Sequence, residues 1–229
     1  GGAGMRFVLA LTIGLLVFLV VDTFEAAQQI ALTAPGAFNG PLLIPVVSLL
    51  AFLLLMTISS RKSGPDGEAL RGLPLAYQIA FGIGLHNLGE GLAIGAAFAL
   101  GEVALGVFLV IGFTLHNVTE GIGIAAPMLR DRPSLRHFGL LALLAGAPAI
   151  LGVWIGGFIY SPLWTTIFLA LGIGAIIQVI VEVSRLIARG TGGSGSSARE
   201  RGSLYDWTTF GGVAAGLAIM YATALLIAA

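Results

Sequence analysis

Val46-Val47-Ser48-Leu49-Leu50-Ala51-Phe52-Leu53-Leu54-Leu55-Met56 holds one hydroxyl among ten apolar side chains. A strand of a membrane barrel alternates polar and apolar residues over about ten positions. Neither this stretch nor Leu140–Ile150 alternates. A hydrocarbon core about 30 Å thick takes roughly 20 apolar residues of helix, so the stretch reads as the middle of a transmembrane helix. The predicted fold class is an all-α polytopic transmembrane bundle.

Working outward, apolar runs between charged or Gly/Pro-rich breaks predict about seven spans, near 6–24, 42–60, 73–99, 104–128, 138–160, 164–187 and 207–229. They read as a single transmembrane domain over 1–229, with a flexible Gly/Ser-rich cytoplasmic linker at 189–204. The run after Gly1-Gly2-Ala3-Gly4 lacks the short apolar region and cleavage site of a signal peptide and is expected to be retained. Composition agrees: of 229 residues, 57% are hydrophobic, 10% are charged and 34 are glycine. A soluble domain carries about 25% charged residues, so this chain cannot clothe a water-facing surface. Eleven basic and eleven acidic residues cancel, leaving no positive excess for nucleic acid. Cysteine is absent, which excludes disulfides, thiolate ligation and thiol catalysis.

All eleven basic residues fall at one set of span ends: Arg6; Arg61, Lys62 and Arg71; Arg130, Arg132 and Arg136; Arg185, Arg189, Arg199 and Arg201. The connections 25–41, 100–103 and 161–163 carry none. By the positive-inside rule, the N-terminus is expected in the cytoplasm and the C-terminus outside, in a plasma (inner) membrane.

An ionisable group at the bilayer centre costs about 2.5–3.5 kcal/mol or more on insertion, so each needs a partner or a purpose. The third span carries His86-Asn87-Leu88-Gly89-Glu90-Gly91 and the fourth His116-Asn117-Val118-Thr119-Glu120-Gly121, the same H-N-x-x-E-G hexad thirty residues apart. Gly82 with Gly112, Leu85 with Leu115, Ile94 with Ile124 and Ala96 with Ala126 extend the match, making an internal repeat. His86 lies thirteen residues after Leu73 and His116 thirteen after Val103, about 20 Å at 1.5 Å per residue. The spans run in opposite directions, so both hexads reach the midplane. His at i and Glu at i+4 share a face, and Gly91 and Gly121 are expected to let the two helices approach closely. Imidazole and carboxylate suit a divalent transition metal such as Zn²⁺, Fe²⁺, Mn²⁺ or Co²⁺. His86, Glu90, His116 and Glu120 are the candidate ligands, with Asn87 and Asn117 as further oxygen donors, at a site between two antiparallel central helices. One His–Glu pair alone would read as an interhelical hydrogen bond; its repetition argues for ligands.

Other polar groups read less sharply. Asp22 and Glu25, at the outer end of the first span, line an entrance or are simply solvated. Gln178 and Glu182, one turn apart, line an exit, unless Glu182 pairs with Arg185 at i+3. Pro148 is expected to kink the fifth span, and His137 to stand exposed in a basic loop.

The two hexads, their separation and the short connection between them resemble the ZIP family of divalent metal ion transporters. More loosely, Gly146–Gly152 resembles that family's Pro-containing sixth helix, and Gly174–Glu182 its seventh. The resemblance implies a transporter, not an enzyme, whose His, Asn and Glu bind divalent ions, zinc first among them, and move them toward the cytoplasm. It implies no cofactor beyond the cargo. The partners are the ions and the bilayer, with a homodimer left open. The family has eight helices with both ends outside; the absence of a first helix would account for seven with the N-terminus inside. Asn117 where some members have aspartate, and Ala147 where they have glutamate, weaken the case for a second bridged ion. The alternative is an intramembrane metal-dependent hydrolase, but no H-E-x-x-H helix occurs and both glutamates are consumed as ligands. No nucleotide-binding loop is recognisable.

Overall fold

The computed structural model describes residues 2–34, 36, 39–62, 72–128, 133–159, 161–189 and 206–228. Helix α1 spans Gly2–Ala31, α2 Gly40–Lys62, α3 Gly72–Ala99, α4 Val103–Ala125, α5 Leu135–Phe158, α6 Pro162–Arg189 and α7 Trp207–Ala228, with a 3-10 turn at Ala126–Met128. No strand occurs among the described residues. Apart from Arg189, which ends α6, the linker predicted at 189–204 lies outside them. Helices α1, α2, α5, α6 and α7 are long and apolar enough to cross a membrane by length and composition. Helix α3 is as long, at 28 residues, but Gln78, His86, Asn87 and Glu90 dilute its apolar character. Leu49, Leu50, Leu53 and Leu54 of α2 and Leu143, Trp154 and Ile155 of α5 face outward, an apolar exterior that suits lipid and not water.

Glycines place α3 at the centre. A Cβ on Gly84, Gly91 or Gly95 would strike the carbonyls of Leu144, Ala149 and Val153 on α5. In return, Gly152 and Gly156 lie against the carbonyls of Leu88 and Leu92. The two backbones therefore touch directly, as small residues allow in membrane helices. On another side, Gly172 of α6 faces the His86 backbone, where a Cβ would come 3.1 Å from the histidine Cα. Pro148 within α5 has no N–H to give the Leu144 carbonyl. That carbonyl is the one resting on Gly84, and the next, Ala145 O, accepts a hydrogen bond from Asn87 Nδ2 at 3.0 Å. The proline's disturbance of α5 thus lies where α3 docks.

This seam corrects one expectation. Gly91 serves α5 and not α4, while a Cβ on Gly121 would meet nothing within 4 Å. Helix α4 leans outward, with Val118 65% exposed. What joins α3 to α4 is a tight turn: Gly101 at φ +80° and the Glu102 N–H bonded to Ala97 O at 2.9 Å close the end of α3 as a left-handed glycine cap.

A second correction concerns length. Helix α1 continues past residue 24 to Ala31, because Ala27 and Ala31 are fully buried against Ile44, Leu169 and Ile173. A third concerns His137, which is in the first turn of α5, half-buried, with Nδ1 2.9 Å from the Tyr77 hydroxyl. At the same end of the bundle Arg6 Nη1 donates to Asp206 Oδ2 at 2.9 Å, tying the starts of α1 and α7. The pairs α1/α7 and α3/α5 are therefore parallel.

Candidate metal site

Three of the hexad side chains on α3 and one on α4 are buried: His86 and Asn87 are each 2% exposed, Glu90 and Glu120 each 5%. Helical spacing puts Glu90 one turn from His86, and Nε2 of the ring lies 3.0 Å from Glu90 Oε1. The same Nε2 lies 3.7 Å from Glu120 Oε1 across the helix boundary. One imidazole therefore sits between two carboxylates in an environment with no bulk water. A surplus of negative charge at such depth is costly unless a cation joins it.

The other ring nitrogen is also engaged. His86 Nδ1 lies 3.0 Å from Thr23 Oγ1 of α1, which sets Thr23 at the depth of the site, about 25 Å along the helix from Arg6. Asn87 Oδ1 and Asn117 Oδ1 are buried acceptors with no hydrogen-bond partner among the described residues. A buried acceptor without a donor is expensive, and a cation is one way to satisfy it. His116 lies on α4 four residues before Glu120, on the face that Glu120 occupies; its side chain falls outside the described residues. Among the described residues, no three His, Asp or Glu side chains stand together as a closed metal-holding group. Nitrogen and oxygen donors of this kind are what Zn²⁺, Mn²⁺ and Fe²⁺ accept.

The remaining predicted residues lie on either side. Asp22, next to Thr23, is within electrostatic reach of His86 and Glu90, and Glu25 within reach of Asp22. Because α1 runs on to Ala31, these carboxylates stand close to the depth of the site and not at the end of the helix. Eight residues before His86, about 12 Å away, Gln78 Nε2 donates to Gln178 Oε1 at 2.6 Å. Glu182 Oε1 accepts from Ser59 Oγ at 3.1 Å and pairs with Arg185 Nη1 at 3.3 Å, the i+3 partner anticipated for it. Sequence reasoning did not single out Thr23, Ser59, Tyr77 or Gln78. Hydroxyls and amides inside apolar helices carry no periodic signal, and only their packed neighbours reveal them.

Carboxylates, an imidazole and an amide are thus buried together inside an apolar helical bundle. The sequence model of the ZIP zinc transporter family matches residues 57–223, and the chain belongs to that family. It is accordingly a divalent metal ion transporter and not an enzyme, which removes the hydrolase alternative. No curated protein matches the chain in sequence.

Proposed function

We propose that this protein moves divalent transition-metal ions, zinc first among them, toward the cytoplasm through a site at His86, Asn87, Glu90, His116, Asn117 and Glu120. The observation that carries the reading is the His86 imidazole held at 3.0 and 3.7 Å between carboxylates of two helices, all three side chains buried. An ion arriving there trades water for nitrogen and oxygen ligands, and two carboxylates match its charge. Asp22 and Glu25 lie close to the depth of this point and offer a cation arriving from outside negative charge. Gln178 and Glu182 line its way out, where the Gln78–Gln178 and Ser59–Glu182 bonds hold α3 to α6 and α2 to α6. The collection of all eleven basic residues at one set of helix ends orients the chain in the plasma (inner) membrane, with the start of α1 in the cytoplasm. Energy comes from the ion gradient, the membrane potential or a proton.

The test is metal uptake into sealed vesicles with a panel of ions. Accumulation of Zn²⁺ or another transition dication that is abolished in Glu90→Gln is expected. Uptake of monovalent ions alone, or uptake indifferent to Glu90→Gln and His86→Ala, would overturn the site.

A further inference from the structure

Six threonines in these helices share one habit. Thr12, Thr57, Thr114, Thr165, Thr166 and Thr223 each turn the hydroxyl back onto the carbonyl four residues earlier, the ordinary way to satisfy a helical hydroxyl in an apolar setting. Thr23, 1% exposed, spends its hydroxyl on His86 Nδ1 at 3.0 Å. It belongs to α1, which lies wholly before the residues 57–223 matched by the family, and nothing in the repeated hexads points to it.

We propose that Thr23 is a positioning residue that sets the tautomer and orientation of His86 for metal capture through Nε2, an inference that rests on His86 being a ligand. Imidazole has one nitrogen on each side of the ring, and neutral imidazole protonates only one of them. With Nε2–H donated to Glu90, Nδ1 is a bare acceptor and the Thr23 O–H donates to it. With Nε2 bound to a metal, the proton sits on Nδ1 and the same hydroxyl accepts it. A carboxylate or carbonyl could serve only the second state, because it has no proton to give. A hydroxyl rotates and serves both, so the ring keeps its anchor on α1 while Nε2 exchanges Glu90 for the ion. Second-sphere partners of ligating histidines set ring orientation and basicity in this way.

The experiment uses the full-length chain in detergent with Zn²⁺ as the probe, measuring binding affinity alongside ¹⁵N chemical shifts of the histidine rings. Thr23→Val keeps the shape and removes the hydroxyl; affinity is expected to fall about 10–100-fold, and Thr23→Ser is expected to restore it. In the wild type the shifts should show His86 protonated at Nδ1 and metallated at Nε2 when loaded. Binding by Thr23→Val equal to wild type, or metal on Nδ1 of the wild-type ring, overturns the proposal. The wild-type spectrum decides even if Thr23→Val fails to fold. If Glu90→Gln and His86→Ala also bind as wild type, it is the site itself that has failed, whereas their loss together with an unaffected Thr23→Val sinks the positioning role alone.

Discussion

The hexads on α3 and α4 are the same in sequence and differ in nearly everything around them. Helix α3 is walled by α5 and α6: its glycines rest on carbonyls, its Asn87 is bonded to Ala145 O, and its histidine is anchored by α1. Helix α4 carries its Glu120 into the same pocket, yet Gly121 faces open space and Val118 lies 65% exposed. A repeat therefore reproduces ligand chemistry without reproducing packing. The side chains proposed to hold the ion are shared, while those that hold the backbone depend on which neighbours each helix meets. Positions within the hexad should separate accordingly, with ligands equivalent across the two helices and scaffold positions not.

The ligand half of that comparison carries the largest effect. Glu90→Gln and Glu120→Gln each remove one negative charge at constant size. Each should lower metal uptake by at least about 100-fold, since loss of an outer partner alone costs about 10–100-fold. Glu102→Gln, in the exposed turn before α4, should transport as wild type. Vesicle uptake checks this, and unequal losses at 90 and 120 would break the equivalence. The scaffold half predicts the opposite pattern. Gly91→Ala drives a methyl into the Ala149 carbonyl and should cost about 1–3 kcal/mol as overpacking. Gly121→Ala, free of neighbours, should gain about 0.5–1 kcal/mol from helix propensity; thermal unfolding in detergent reads both signs.

Asparagine sharpens the contrast further. Asn87→Ala forfeits the Ala145 bond and should destabilise by about 0.5–1.5 kcal/mol, whereas Asn117→Ala removes a side chain whose Oδ1 has no hydrogen-bond partner among the described residues and should unfold near the wild-type temperature. The smallest effect lies away from both hexads. Asp206 accepts the Thr209 backbone N–H and pairs with Arg6, and these hold its carboxyl below the ordinary value of 3.8. Its contribution is therefore complete above that ordinary value and lost as pH falls through the lowered folded value. The stability gap between wild type and Asp206→Asn should be constant from neutral pH to about pH 5 and close in stronger acid, with Zn²⁺ affinity at pH 7 the same in both.

The helices were legible because lipid imposes one rule on every span: Val46–Met56 and Leu140–Ile150 have no polar positions to spare, and nothing but a helix satisfies their backbones. His86, Asn87, Glu90, Glu120 and their neighbours stood out because charge at depth is costly and the hexad occurs twice. Which neighbour each glycine serves was not legible. Gly91 and Gly121 are the same letter at the same step of a repeat, and only the three-dimensional course of α5 tells them apart. Thr23 was hidden for a related reason: a threonine in a span reads as back-bonded to its own helix until a ring nitrogen from another helix is found beside it. Helix α1 was read too short because Asp22 and Glu25 look like the end of a membrane segment, when Ala27 and Ala31 beyond them are packed.

Backbone resting on backbone along α3 and α5 leaves no flexible side chain between the two helices to absorb a shift. A slip of α3 by one residue would move its carboxylate and imidazole 1.5 Å along the membrane normal and drive Cβ-bearing positions into carbonyls now faced by Gly84, Gly91 and Gly95. The altitude of the proposed α3 ligands in the bilayer is thus set by a helix that supplies none of the proposed ligands, and contact this close predicts that α3 and α5 move as one body.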